Sequence, residues 1–451
     1  MKRDAIDFGT MKISRLFVKL FIPTFMGLLF GALLNIADGI FVGRGVNSDA
    51  LAAVNIAAPV FQIFCGIGLM FGAGVSVVAA IHLSRNNVKA ANINITQAFT
   101  VSILISSLII LFVFCCPEVI NRIFGGSDIL KPYVVDYLRY VSLGLFGSVV
   151  LFVGLFVIRL DGSPKYAMMT NVIPASLNIL LDWYFVFPLQ MGIKGAALAT
   201  SISEFVGMFM VILYFIKFRQ KVSLYRPKIS SKAIRLTMRN VGYMINVGFP
   251  TFIGETALSC MMIVGNFQFM RYLHEDGVAA YSVACYLFPM VFMFGNAIAQ
   301  SSLPIISYNH GLGDSERIRQ TFRLSMTTAA VCGLVMTIAV MALSRYVLYL
   351  FLGDQQPPLE IGMRGLPLYA VSFVFFTLNV VMIGYFQSIE KARASNIFML
   401  IRGYLMPLPC FLILPALIGD IGLWLAIPLS EAITFIVILS SWRKISIRTA
   451  N

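Results

Sequence analysis

The sequence predicts an all-α polytopic membrane protein, with twelve transmembrane helices in two parallel six-helix lobes. Three observations carry that prediction. Of 451 residues, 59% are hydrophobic and only 12% charged, against about 25% charged in a soluble domain, so the apolar surface is too large for a water-soluble core. Basic residues are dense in alternate segments between the apolar runs. The second half of the chain also repeats features of the first at one constant offset.

A bilayer span needs about 20 mainly apolar residues. Broken at its charged and Gly/Pro-rich punctuation, the chain yields spans at 16–41, 51–81, 93–116, 133–159, 166–188, 194–217, 241–270, 277–307, 320–344, 362–387, 394–417 and 421–441. The apolar run that starts at residue 16 is too long for a signal-peptide core, so it reads as a first membrane helix. With the N-terminus inside, the inner segments hold 25 of the 34 Lys and Arg, eight of them between 217 and 239. The positive-inside rule then puts both termini in the cytoplasm. The net charge of +14 is accordingly a topology and lipid-headgroup signal, and a nucleic-acid partner is not expected.

"DALAAVNIA" at 49–57 resembles "DGVAAYSVA" at 276–284, an offset of 227. The same offset pairs Pro23 with Pro250, and "GIKGAALATSISE" (192–204) with "GDIGLWLAIPLSE" (419–431), aligning Glu204 with Glu431. The expected organisation is an N-terminal six-helix lobe at 1–216, a basic cytoplasmic linker at 217–239 and a C-terminal six-helix lobe at 240–451. Both halves start inside, so the repeats are parallel and suit alternating access around a central cleft.

Enzyme signatures are missing. The seven cysteines lie scattered in or beside apolar stretches without CxxC spacing, the three histidines are far apart, and there is no HExxH, GxSxG or GxxxxGK. An intramembrane enzyme therefore has no motif behind it.

A carboxylate at the bilayer centre costs about 2.5–3.5 kcal/mol on insertion scales and faces the bundle interior or a water-filled cavity. Asp38, Asp182, Glu204 and Glu255 fall well inside expected spans, and Glu431 mirrors Glu204. At 1.5 Å per residue Asp182 lies about 25 Å along its helix from the cytoplasmic side, and Thr200 about 10 Å from the outer side. Asn178 and Asp182 are i and i+4, on one face. Asp38, Asn178, Asp182 and Thr200 can therefore converge in the outer half of the first lobe. Such a set could hold Na⁺ through oxygen ligands, or share protons. Plainer readings stand beside it. Asp38 can pair with Arg44 at the interface, Asp182 can sit in the outer aromatic belt, and Glu204 and Glu431 can be hydrogen-bonding groups inside each lobe. Glu255 can line the cleft or pair locally. Gln62, Met290, Met293 and Asn379 are candidate cleft residues, flexible or polar beside Phe-rich stretches, although Met and Phe are abundant throughout.

Four stretches carry a resemblance: "PTFMGLLFGALLNIADGIFVGR" (23–44), "NILLDWYFV" (178–186), "GIKGAALATSIS" (192–203) and "GFPTFIGETALS" (248–259). In order and at these spacings the chain resembles the MATE (multidrug and toxic compound extrusion) transporters, and among them the MepA-type branch. The resemblance implies a MATE-like fold and export of cationic amphipathic compounds in exchange for H⁺ or Na⁺. It places the ion-coupling site, and the metal ligands if Na⁺ is the ion, on Asp38, Asn178, Asp182 and Thr200. Glu255 and Glu204 form a possible secondary ion or substrate site. Another branch uses a helix 7 Glu with a helix 10 Asp. Glu255 matches the first, but the tenth span reads "FVFFTLNVVMIGYF", with Asn379 and no Asp. The chain is expected to be a monomer in the bacterial cytoplasmic (inner) membrane. Small organic cations are the expected cargo, membrane lipids the neighbours, and H⁺ or Na⁺ the coupling ion with no further cofactor. The alternative is a flippase for a lipid-linked saccharide. It would need a cleft rich in Arg and Lys, and only Arg139, Arg159 and Arg402 stand mid-span.

Overall fold

The computed structural model describes residues 6–46, 48–124, 128–226, 230–353 and 356–448, with the side chains at 35–36, 43–44, 48–49, 51–52 and 443–448 outside that description. The described residues form helices and turns, with no strand among them. This follows from the solvent. Backbone groups in a bilayer have no water to bond, and a helix satisfies them within one segment.

The chain divides into two compact units, Met1–Glu255 with Leu303–Ser315 and Thr256–Ser302 with Glu316–Asn451. Unit one holds α1 (Ile13–Gly45), α2 (Ser48–Ser84), α3 (Val88–Cys115), the short α4 (Pro117–Ile123), α5 (Lys131–Leu160), α6 (Pro164–Val186), α7 (Gly192–Leu213) and both ends of α8 (Ser231–Leu312). Unit two holds the middle of α8, then α9 (Ser315–Leu352), α10 (Pro358–Ala370), α11 (Ser372–Ser388), α12 (Ala392–Leu400), α13 (Pro407–Ile418) and α14 (Asp420–Arg448). α8 has 82 residues and breaks at His274, whose φ of 52° and ψ of −151° are not helical.

Ten of the described helical stretches are long and apolar enough to cross a membrane. The break at His274 divides one of them into two spans. α6 adds another, because its 23 residues reach about 34 Å despite the polar Asn178 and Asp182 that lower its hydropathy. Twelve spans result, as the sequence predicts. α9 runs past both ends of the expected 320–344, and the helices depart from the expected runs in three further places. α8 begins ten residues ahead of position 241, where the Ser230 hydroxyl accepts the Ala233 N–H at 3.2 Å as an N-cap. The tenth span is split at Val371 between α10 and α11, and the eleventh by a π-helical turn, Ile401–Leu405, between α12 and α13.

Lipid tails are as apolar as leucine, so helices in a bilayer associate by close packing more than by the hydrophobic effect. In unit one, α5 packs on α2 and α7, and α6 lies against α1 and α7. Small residues bring α5 and α7 together. The Ser201 hydroxyl donates to Tyr140 O at 2.6 Å and accepts Gly144 N–H at 3.1 Å. A Cβ on Gly147 would stand 2.7 Å from the Glu204 carbonyl oxygen. That backbone approach fixes the position of Thr200 and Glu204 on α7. In unit two, aromatic rings fill the core, with Phe269 stacked on Tyr281 at 4.4 Å and Trp424 edge-on to Phe269 at 4.9 Å.

The segment after α7 is held down by side chains. Buried Asp161 accepts the Tyr214 hydroxyl at 2.7 Å and the N–H groups of Gln220, Lys221 and Val222 at 2.7, 2.8 and 3.0 Å. Asn92 Oδ1 accepts Ser223 N–H, and Thr96 Oγ1 accepts Tyr225 N–H, both at 2.9 Å. The N-terminal stretch is also tied in. Asn309 Nδ2 donates to Phe8 O at 3.2 Å, and the Phe8 and Tyr308 rings lie 5.7 Å apart.

Candidate functional site

α6 carries the polar centre of unit one. Asn178 and Asp182, one helical turn apart, are 1% and 0% exposed. The Asn178 amide, oriented to satisfy both its atoms, donates from Nδ2 to Asp182 Oδ2 at 2.9 Å and accepts Thr200 N–H at 3.0 Å. The Thr200 hydroxyl donates to Ala196 O at 3.1 Å, as threonines inside helices commonly do. Asp38 comes from α1, half-buried and close enough to Asp182 for the two carboxylates to interact electrostatically. Asp38 Oδ1 and Asp182 Oδ1 are both buried without a hydrogen-bond partner among the described residues. No described Lys or Arg side chain is seen in an ion pair with either acid. The Arg44 side chain, the pairing alternative for Asp38, lies outside the described residues.

The structure thus brings Asn178, Asp182 and Thr200 into one hydrogen-bonded group, with Asp38 beside it. Sequence reasoning missed Tyr137 of α5, which is buried within electrostatic reach of both Asp38 and Asp182. A tyrosine at a helix position facing the core carries no polar signal in a hydropathy pattern, so nothing in the sequence marked it.

Glu204 and Glu255 approach a shared neighbour, the Cys65 thiol of α2, within electrostatic range. Glu204 Oε2 is buried and has no partner among the described residues. The four cleft candidates divide between the units. Gln62 is half-buried in unit one. In unit two Met290 is exposed, Met293 buried, and Asn379 buried within a charged group.

That group is the second polar centre, and sequence reasoning missed its assembly. Arg402 Nε lies 3.0 and 3.2 Å from Glu431 Oε1 and Oε2, and the two side chains are 3% and 0% exposed. Asn379 Nδ2 donates to Glu431 Oε2 at 2.7 Å and to Glu431 O at 2.8 Å. Two of the three mid-span basic residues on which the flippase reading leans are engaged with the protein itself, Arg402 by Glu431 and Arg159 buried over the Phe156 ring at 5.2 Å, while Arg139 is exposed. Among the described residues no group of three or more His, Cys, Asp or Glu could hold a metal ion. A cation at the α6 centre would rely on two carboxylates with amide, hydroxyl or carbonyl oxygens, a donor set suited to Na⁺ or a proton.

A family model described as MatE matches residues 23–184 and 250–412, two stretches that start 227 residues apart. The multidrug export protein MepA of Staphylococcus aureus (strain MSSA476) is 23% identical over 420 residues, with 91% of this chain and 89% of that protein covered. A solved structure described as the outward-facing conformation of a multidrug resistance MATE family transporter of the MOP superfamily superimposes with a TM-score of 0.90 at 23% identity, covering 98% of both chains. A crystal structure of MATE in complex with MaL6 does so with a TM-score of 0.88 at 23% identity, again over 98% of both.

Proposed function

Because the chain belongs to the MATE family, and is therefore a multi-pass membrane transporter rather than an enzyme, we propose that it is a cation-coupled antiporter that exports amphipathic organic cations by alternating access. The observation that carries this reading is the pair of acids, half-buried Asp38 and buried Asp182, each with a buried oxygen that lacks a partner and with no basic side chain paired to either among the described residues. A carboxylate in that position is neutralised by a proton or a mobile cation, or it is costly to keep. Asn178 and Thr200 hold the Asp182 side of the pair in place. Each positive charge that enters from outside gains about 2.3 kcal/mol per 100 mV of membrane potential. Loading the site with H⁺ or Na⁺ removes its negative charge, lets α1 repack near Pro23, and releases cargo outward. Unloading to the cytoplasm resets it.

The cargo class follows from the relative named for multidrug export and from the acids, which favour cations. The setting is the bacterial cytoplasmic membrane, with the chain acting as a monomer among lipids and both termini inside, as the distribution of Lys and Arg supports. The lobes are the halves 1–216 and 240–451 joined by 217–239, and the equal offset of the two matched stretches supports that division.

The test is efflux of an ethidium-type dye from cells carrying Asp38→Asn or Asp182→Asn. Each substitution is expected to abolish dye export driven by the ion gradient, and export at the wild-type rate from both would defeat the reading. Repeating the wild-type measurement with and without Na⁺ across pH identifies the ion: a requirement for Na⁺ at constant pH assigns Na⁺, and a dependence on pH alone assigns H⁺.

A further inference from the structure

Glu204 and Glu431 occupy equivalent places in the two sequence repeats, and both are buried in part or whole. They are answered differently. Glu204 has an oxygen with no partner among the described residues. Glu431 lies in a group of side chains that already holds a cation, Arg402. The Arg402 guanidinium sits against both Glu431 oxygens, 4.1 Å from the centre of the Phe376 ring, with Nη1 3.6 Å from Met399 Sδ. Carboxylate, aromatic face and thioether are the three surfaces that receive a planar organic cation. Asn379 orients the carboxylate through its Nδ2, and its own Oδ1 is buried with no partner among the described residues, one acceptor more than Arg402 uses.

Apart from the glutamate itself, the offset repeats none of these residues in unit one. The offset of 227 puts Ala175 opposite Arg402, Phe152 opposite Asn379 and Val149 opposite Phe376. The backbone is also arranged for the arginine. Arg402 stands in the π-helical turn, where Met406 N–H donates to Ile401 O at 2.9 Å, five residues back. The residue inserted by such a turn re-aims side chains, and these turns recur at functional positions.

We propose that Glu431, Asn379, Phe376 and Met399 form a cation site of the guanidinium class, filled permanently by Arg402 as a tethered occupant. Unit two is thereby closed to mobile ions at the position where the first repeat leaves its glutamate open. This consequence for ion traffic rests on the antiport reading. The site itself does not, and it is tested by binding.

Arg402→Ala empties the cage while leaving its walls. Millimolar ethylguanidinium chloride should raise the melting temperature of the purified variant saturably, since a ligand that binds only the folded state stabilises it by mass action. Equimolar NaCl should not, and the wild type, already occupied, should not respond. Arg402→Ala/Glu431→Gln should lose the response. An Arg402→Ala protein unmoved by ethylguanidinium, or a double variant that responds equally, would overturn the proposal. If Arg402→Ala alone does not fold, the double variant decides. Recovery of folded protein on adding Glu431→Gln supports an unanswered carboxylate as the defect, and no recovery overturns it. Dye efflux is not used, so a failure here is separate from a failure of the antiport reading.

Discussion

The polar centres of the two units solve one problem in opposite ways. In unit two a carboxylate with 0% exposure is met by arginine and amide, and the arginine in turn by an aromatic ring, all supplied by the chain. In unit one two carboxylates approach each other, and each keeps an oxygen without a partner among the described residues. A buried charge must be paired, neutralised or hydrated. The centre that carries its own counter-charge is a finished structure. The centre that does not is the one that the antiport proposal fills with H⁺ or Na⁺.

The largest effect expected from this contrast is on stability. Glu431→Gln leaves a guanidinium buried without its counter-ion, and breaking a buried pair from one side costs about 3–5 kcal/mol. Asp182→Asn removes a carboxylate that has no ion pair among the described residues, so stability should stay level or rise. Thermal unfolding of the two purified variants measures both, and equal losses would end the contrast. A middle-sized effect concerns the scaffold of unit one. Gly147→Ala pushes against the Glu204 carbonyl, and overpacking of this kind costs about 1–3 kcal/mol. Because Thr200 and Glu204 ride on α7, efflux should fall further than the loss of folded protein explains. Efflux in strict proportion to folded protein would show that the centre tolerates displacement of α7.

The smallest effect sharpens the contrast from outside the membrane. Asp7 accepts the Thr10 hydroxyl at 2.7 Å and the Gly9 N–H at 2.9 Å, and these bonds hold its carboxyl below the usual range. A lowered folded-state value contributes stability that is present above about pH 4 and is lost as pH falls through that lower value. In water the effect is slight. Asp7→Asn should leave the melting temperature at neutral pH nearly unchanged and flatten only the acid limb of a stability–pH profile. A large loss at neutral pH would show that the N-terminal stretch matters to the fold well beyond its exposure.

Much of the fold is legible in the sequence. Class, the number of spans and the internal repeat are written in the order of residues, because bilayer thickness sets the length of each apolar run and helices satisfy their own backbone. Half of the candidate site was legible too. Asn178 and Asp182 are one turn apart on a single helix, so helical period alone puts them together. The α6 span was visible through its apolar run although the same polar pair weakens its hydropathy.

What the sequence determined by itself was therefore local: which stretches cross the membrane, which carry an acid, and which acids share a helix face. What only the tertiary structure decided was how those acids are answered. Arg402 and Glu431 are 29 residues apart and Asn379 and Glu431 are 52 apart, on different helices. Tyr137 reaches Asp38 and Asp182 from a third element. Such partnerships depend on how helices rotate and how closely they pack. In lipid, those choices are made by small residues such as Gly147 and by individual hydrogen bonds, which leave no periodic signature in the chain.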